Sequence, residues 1–345
     1  MSRLVLVAMV VATVTLSGAC RGPQTPPTRT GALPYPSIFY TSVDPDDLGE
    51  HRFGGLSLQE RGRGLIYSER GGLIDLAHVR IIADWTWYYY RHIHAALDAG
   101  DAELTLAMNK GSRMDLTFHY PDNWPTLAAD EDADVVHKLS LAIAKELAWI
   151  MGAWHEIATW YGYSRFILGS EEPSAFTHDD TFSHLVGLRV AERAINNREL
   201  SYNEAMTQEL ASELAYWEAV GPDETDAAVQ RVRGRWWDER GAIRRYLELS
   251  LDGQPQRAWL APDEPGEPGR LGEPYDIPRL GEISGRDFSD FYSVSIRPYI
   301  LQANQIRRAA GIESGPIDPF EHFPVIMESI RVELLERYGP DADQP

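Results

Sequence analysis

Between residues 136 and 161 one apolar stripe runs without a break. Val136, Leu139, Ile143, Leu147, Ile150, Trp154, Ala158 and Tyr161 recur at steps of three and four residues, which puts them on one face of a helix about seven turns long. A helix of that length with one apolar face has to be covered, so the chain must supply further helices or a sheet to pack on it. Gly162 closes the stripe, and the acidic run ADEDAD at 129–134 suits the positive end of the helix that follows.

The rest of the chain supplies such partners. LIYS at 65–68 predicts a short strand. After Gly71–Gly72, apolar positions at 74, 78, 81, 82, 85 and 89 (counting His78) predict a helix ending at Gly100. Residues 103–107 and 114–120 are β-like. Thr177 with Asp180 resembles a capping box and predicts a helix to Asn196. Ser201 with Glu204 is a full capping box and opens a helix to about Val220, and Thr225 opens another through Arg235–Trp237. Residues 244–260 predict a hairpin turning near Asp252–Gly253. The Pro/Gly/Glu-rich stretch 262–287 predicts a long surface loop that could act as a lid. A strand near 291–296, a helix near 299–309 and a terminal helix from Asp318–Pro319 to Tyr338 follow. The expected fold is mainly α with a small β component, α+β, in one domain over 45–340: a multi-helix core with short strands and one β-hairpin.

Charge excludes one class of partner. With 52 Asp+Glu against 32 Lys+Arg, the formal net charge of −20 repels phosphate backbones, so no nucleic-acid partner is expected. The N-terminus reads as an export signal: Arg3, the apolar run 4–16, then small residues. That run is too short for a comfortable membrane span. It ends in LSGAC at 16–20, where Cys20 is the only cysteine. This segment resembles a bacterial lipoprotein signal, with Ser17 where a large aliphatic residue is usual and Leu16 one place further off. The resemblance implies a signal peptide at 1–19 and acylation (palmitate) of Cys20; the other reading is an ordinary cleaved signal with an incidental cysteine. The Pro/Thr-rich segment 20–44 is then a tether, and Arg21 after the cysteine favours an outer-membrane anchor facing the periplasm. One cysteine forms no intramolecular disulfide and gives the folded domain no cysteine catalysis.

Three helix-borne clusters pair an imidazole with a carboxylate. Asp75 and His78 sit at i,i+3, His155 and Glu156 are adjacent, and Asp180 and His184 sit at i,i+4. This donor set suits zinc, iron, manganese or another divalent transition metal; a carboxylate beside a histidine can also orient the ring. The segment WHEIATWYGY at 154–163 starts as a zinc-protease helix does, but Thr159 stands where the second histidine would be. The His155 face carries Ala144, Ala148, Gly152 and Thr159, and the His184 face carries Gly187 and Ala191, small residues that would let two helices approach. The alternative for each residue is structural: Asp75, Asp179 and Asp180 serve equally well as helix-cap groups. Aromatics crowd the same helices (Trp85, Trp87, Tyr88, Tyr89, Tyr90; Trp149, Trp154, Trp160, Tyr161, Tyr163), which fits either a glycan-binding surface or core. P-loop, dinucleotide and serine-hydrolase motifs are missing.

Taken together, GGLIDLAHVR, ADWT, WHEIATWYGYSRF and SAFTHDDTFSHLVG resemble a family of predicted bacterial lipoproteins known only as a domain of unknown function. The resemblance covers roughly 45–340. Its recurring features match Asp75 and His78, His155 and Glu156, and Asp179, Asp180 and His184. It implies the lipoprotein placement and brings no reaction. The expectation is a lipid-anchored envelope protein with a metal-dependent, hydrolase-like site. His78, His155 and His184 are the expected ligands, with Asp75 or Asp180 completing the set and Glu156 as general base, acting on a cell-envelope glycan or lipid. The competing expectation is a non-catalytic lipoprotein that binds glycan or a partner protein through its aromatic surface.

Overall fold

A computed structural model describes residues 25–54, 63–130, 134–163, 171–251 and 254–345. It is an α+β fold. Strands β1 (Leu65–Ser68) and β2 (Gly72–Asp75) form an antiparallel hairpin that runs directly into α1 (Leu76–Ala99). β3 (Glu103–Ala107) and β4 (Arg113–Phe118) follow, then the short α2 (Trp124–Ala128) and the long α3 (Val135–Trp160). α4 (Asp180–Asn196), α5 (Tyr202–Tyr216) and α6 (Pro222–Arg231) complete the helical half. Short antiparallel pairs come next: β5 (Trp237–Asp238) with β6 (Gly241–Ala242), β7 (Gln256–Leu260) with β8 (Arg270–Tyr275), and β9 (Glu282–Ile283) with β10 (Arg286–Asp287). β11 (Tyr292–Arg297) returns to β4, giving a three-stranded sheet in the order β11-β4-β3, before α7 (Ala303–Ala309) and α8 (Pro319–Tyr338).

The stripe on α3 determines the core. Leu139, Ile143, Leu147, Trp154 and Ala158 are each 0% exposed, covered by α1, α4 and α8. Between α1 and α4 the backbones nearly touch: a Cβ on Gly187 would lie 2.5 Å from the carbonyl oxygen of Val79. A smaller second core gathers Tyr35, Tyr67, Val229, Trp236, Tyr246 and Trp259 beside the β1–β2 hairpin. The Ser201–Glu204 capping box forms in both directions at the start of α5. Ser201→Ala is expected to cost about 1 kcal/mol, readable as a lower denaturant midpoint at unchanged slope.

Several expectations are corrected. Residues 72–75 are a strand, not the first turn of the helix, because Leu73 and Ile74 are buried on opposite sides of the hairpin, in the two different cores, and Gly72 has φ +65 against the Trp259 carbonyl. The fourth long helix ends at Tyr216, and the next starts at Pro222, whose ring suits a first turn, rather than at Thr225. Trp237 lies in a strand. The hairpin read over 244–260 is instead made by β7 with β8, so 262–287 contributes strands rather than one free loop; its expected turn at 252–253 lies outside the described residues.

The expected tether also departs from its reading once it enters the described residues at position 25. Arg29 is buried, with one guanidinium nitrogen 2.7 Å from Asp84 and the other donating to the Arg52 carbonyl. Tyr35 joins the second core. Composition marks this strand of prolines and threonines as solvated; what overrides it is the buried Asp84 carboxylate, which needs a cation. Residues 26–39 therefore form a strap against the domain. Cys20 and the signal at 1–19 lie outside the described residues. Among the described residues no helix is long and apolar enough to cross a membrane.

Candidate metal centre

The site grows from the junction of β2 and α1. Asp75 is the N-cap of α1: its Oδ1 accepts from the Ala77 N–H at 2.8 Å. Its Oδ2 faces His78 Nδ1 at 2.9 Å and accepts from the Ala32 N–H of the strap at 2.9 Å. The same residue's N–H donates to Ser183 Oγ, which donates in turn to the Asp179 carbonyl. One aspartate thus caps a helix, orients a histidine and ties α1 to the start of α4.

α3 and α4 bring the remaining groups. Asp180 Oδ2 accepts from both the N–H and the hydroxyl of Thr177 at 2.8 Å, the reach-back expected of a capping box. Its Oδ1 lies 3.4 Å from His78 Nδ1. Glu156 Oε2 accepts from the Phe176 N–H at 2.9 Å, and its Oε1 is buried with no hydrogen-bond partner among the described residues. Both carboxylate oxygens of Asp179 are in the same position. His184 fits because Gly152 has no side chain: a Cβ there would lie 2.7 Å from His184 Nδ1. The His78 ring centroid is 5.6 Å from that of His184 and 5.9 Å from that of His155.

One donor atom each of His78, Glu156 and His184 lie within 4.8 Å of one another, and Asp75, His78 and Asp179 form an overlapping group at the same spacing. Two donors bound to one cation at about 2 Å lie at most about 4 Å apart, so a small side-chain adjustment brings these groups onto a shared cation. Electrostatics favour a cation too. Burial pushes the Glu156, Asp179 and Asp180 carboxyls up, and for the two aspartates neighbouring carboxylates add to the shift. Burial alone would lower His78, but Asp180 and Asp75 outweigh it and hold the ring up at about 10. His184 is pushed well down, first by burial and then by the adjacent His78 charge. Without a metal, this pocket must take up protons to bury its carboxyls; a dication removes that need.

Of the residues expected from the sequence, Asp75, His78, Glu156, Asp180 and His184 converge. His155 stands beside them at the wall of an open cavity of about 750 Å³, its side chain 21% exposed. Asn109 Nδ2 donates to His155 Nδ1 at 3.0 Å, leaving Nε2 to carry the ring proton 3.9 Å from Glu156. Sequence reasoning missed Asn109 and Lys110, which lie on a turn between β3 and β4. Lys110 (φ 58) donates to Thr159 at 2.6 Å. The Asn-Lys-Gly run marks a turn, but nothing local ties that turn to the end of α3. The strap was missed as well: Gly31 is so close that a Cβ on it would lie 2.6 Å from Asp75 Oδ2. The aromatics went mostly to core, since Trp85, Tyr88, Tyr89, Trp149, Trp154 and Trp160 are all buried.

A family model described as "Protein of unknown function (DUF4056)" matches residues 19–252, the part of the chain that carries every residue of this centre. No curated protein and no solved structure matches the chain.

Proposed function

For a chain that belongs to the DUF4056 family, whose description assigns no activity, we propose a metal-dependent hydrolase on an exported, lipid-anchored protein of the cell envelope. The observation that carries it is the convergence of His78, Glu156 and His184 within 4.8 Å, next to Asp179, whose two buried carboxylate oxygens have no hydrogen-bond partner among the described residues. His78, His184 and Glu156 hold the cation, zinc or another divalent transition metal, and Asp180 completes the set. Asp75 positions His78 through its 2.9 Å contact. This moves Glu156 from general base to ligand and His155 from ligand to cavity-facing hydrogen-bond donor, since Glu156 is enclosed while His155 lines the cavity. A bound dication supplies an activated water and polarises the scissile bond. His155, its Nδ1 accepting from Asn109, presents its Nε2–H to the cavity as a hydrogen-bond donor to the charge that develops on the substrate. Cys20 supplies the anchor.

Metal per chain, measured by elemental analysis after expression in metal-replete medium, tests this. Wild type is expected to hold close to one equivalent and His184→Ala less than about a tenth of that, because a ligand bond is lost. His155→Ala is expected to keep its metal. Loss of metal in His155→Ala with retention in His184→Ala would reverse the assignment, and a metal-free wild type would end it.

A further inference from the structure

The cavity beside the centre has two unlike halves. His78, His155, Asp180 and Asn109 line one side. The rest of the lining is mostly apolar and comes largely from the strap, with Pro26, Pro27, Leu33, Ile38 and Phe39 beside its polar Thr28, Arg29 and Thr30, and from Ile81 and Trp85 of α1. The strap is tied to the domain at two points. Arg29 anchors it to Asp84 with both side chains 0% exposed, and the Ala32 N–H anchors it to Asp75. At the mouth, Ile38 is 92% exposed and Phe39 51% exposed, adjacent apolar side chains on the rim of a cavity that is itself apolar. Single exposed apolar residues need no explanation; a pair continuous with an open apolar cavity of about 750 Å³ does, because pockets of this size bind small organic ligands.

We propose that the strap-walled half of this cavity is a subsite for the alkyl chain of an amphiphilic substrate, whose polar, hydrolysable end meets the His78–Glu156–His184 group. The inference rests on the metal-centre reading and names a substrate class for it. A straight chain suits the wall: Leu33, Ile38 and Ile81 offer aliphatic contact, and Trp85 offers one aromatic face. An uncharged or zwitterionic head suits the other end, since the protein's net charge of −20 disfavours anions. The ordering also explains why the strap carries Gly31 at the centre and its apolar residues on either side: any side chain at 31 would strike Asp75 and His78.

The test is a homologous series of uncharged n-alkyl glucosides, six to ten carbons long and below their micellar concentrations, titrated calorimetrically into the full-length protein. Affinity is expected to rise by up to roughly fourfold per added methylene, the equivalent of its transfer out of water. Ile38→Ser changes an exposed residue and leaves the fold intact; Leu33→Asn removes a second wall contact. Both are expected to flatten the chain-length dependence several-fold at unchanged metal content. A flat series in wild type, or a slope untouched by both variants, would overturn the subsite. Metal content of the same samples separates the two ideas: metal without chain-length dependence removes the subsite alone, and chain-length dependence without metal removes the hydrolase and keeps the subsite. Co-sedimentation with phosphatidylcholine vesicles, with the anchor removed by Cys20→Ser in every sample, identifies the source. Sedimentation lost in Ile38→Ser points to amphiphiles drawn from a bilayer, and binding of monomers alone points to soluble ones.

Discussion

Exhaustive chelation is expected to lower the thermal midpoint by about 8 °C. A ligand that binds only the folded state, at a thousand times its dissociation constant, adds about 4 kcal/mol of stability, and in a chain this long each kcal/mol moves the midpoint by about 2 °C. His184→Ala and Glu156→Gln are expected to start near the chelated value and to stop responding to chelator. The pH dependence should change as well. In the metal-free protein Glu156, Asp179 and Asp180 are raised by burial, and His78 is held at about 10 by its carboxylate neighbours. Groups raised on folding stabilise below their unfolded pKa, and that stability is lost as pH rises through the folded value. The metal-free midpoint should therefore fall between about pH 7 and 9, above the unfolded pKa values of all four groups. The metal-loaded midpoint should hold there and fall instead in acid, where protons compete for the ligands. Differential scanning calorimetry of both forms across this range gives the comparison. Identical pH profiles with and without chelator would mean that protons, not a metal, satisfy the buried carboxyls.

What the sequence disclosed about this centre follows the range of each signal. The stripe on α3 and the Ser201–Glu204 box are local, so periodicity and capping chemistry predicted them, and both form. The pairing of Asp75 with His78 is also local, one helical turn apart, and it forms at 2.9 Å. The approach of His184 to α3 could be suspected from Gly152 and Gly187, since missing side chains are visible in a sequence even when their neighbours are not. Three things stayed hidden for one reason. Asn109, the Arg29–Asp84 pair and the strap over Asp75 join residues 46, 55 and 43 apart. No period or motif encodes such contacts; only the assembled core brings them together. The strap was further disguised by its composition, because Pro/Thr-rich chain usually stays in solvent and here is held by the buried Arg29–Asp84 pair, the Ala32–Asp75 hydrogen bond and Tyr35 in the second core. The split between ligand and cavity-facing donor depended on burial as well: from spacing alone His155 and Glu156 are interchangeable in role, and the roles separate only once Glu156 is fully enclosed and His155 faces the cavity.

The two glycines give the second large effect, and they separate fold from site. Gly187→Ala would place a Cβ 2.5 Å from the Val79 carbonyl oxygen and 3.0 Å from Ile82 Cβ. The first contact is with backbone, so α1 and α4 must move apart along an interface both helices use over much of their length. Overpacking of this kind costs about 3 kcal/mol, and the better helix propensity of alanine returns about 1 kcal/mol. The expected net loss is about 2 kcal/mol, seen as a lower denaturant midpoint, with the metal retained. Gly152→Ala meets a side chain instead: its Cβ would lie 2.7 Å from His184 Nδ1 and 3.0 Å from Cε1. The imidazole is the movable partner, so the ring turns away, and the expected result is a several-fold loss of metal affinity with the metal-free midpoint nearly unchanged. A displacement of 1 Å suffices, because metal–nitrogen bonds tolerate only a few tenths of an ångström. Should both variants instead become more stable and keep their metal, alanine's propensity would be the only effect present, and the close packing of α4 on α1 and α3 could not be what positions His184.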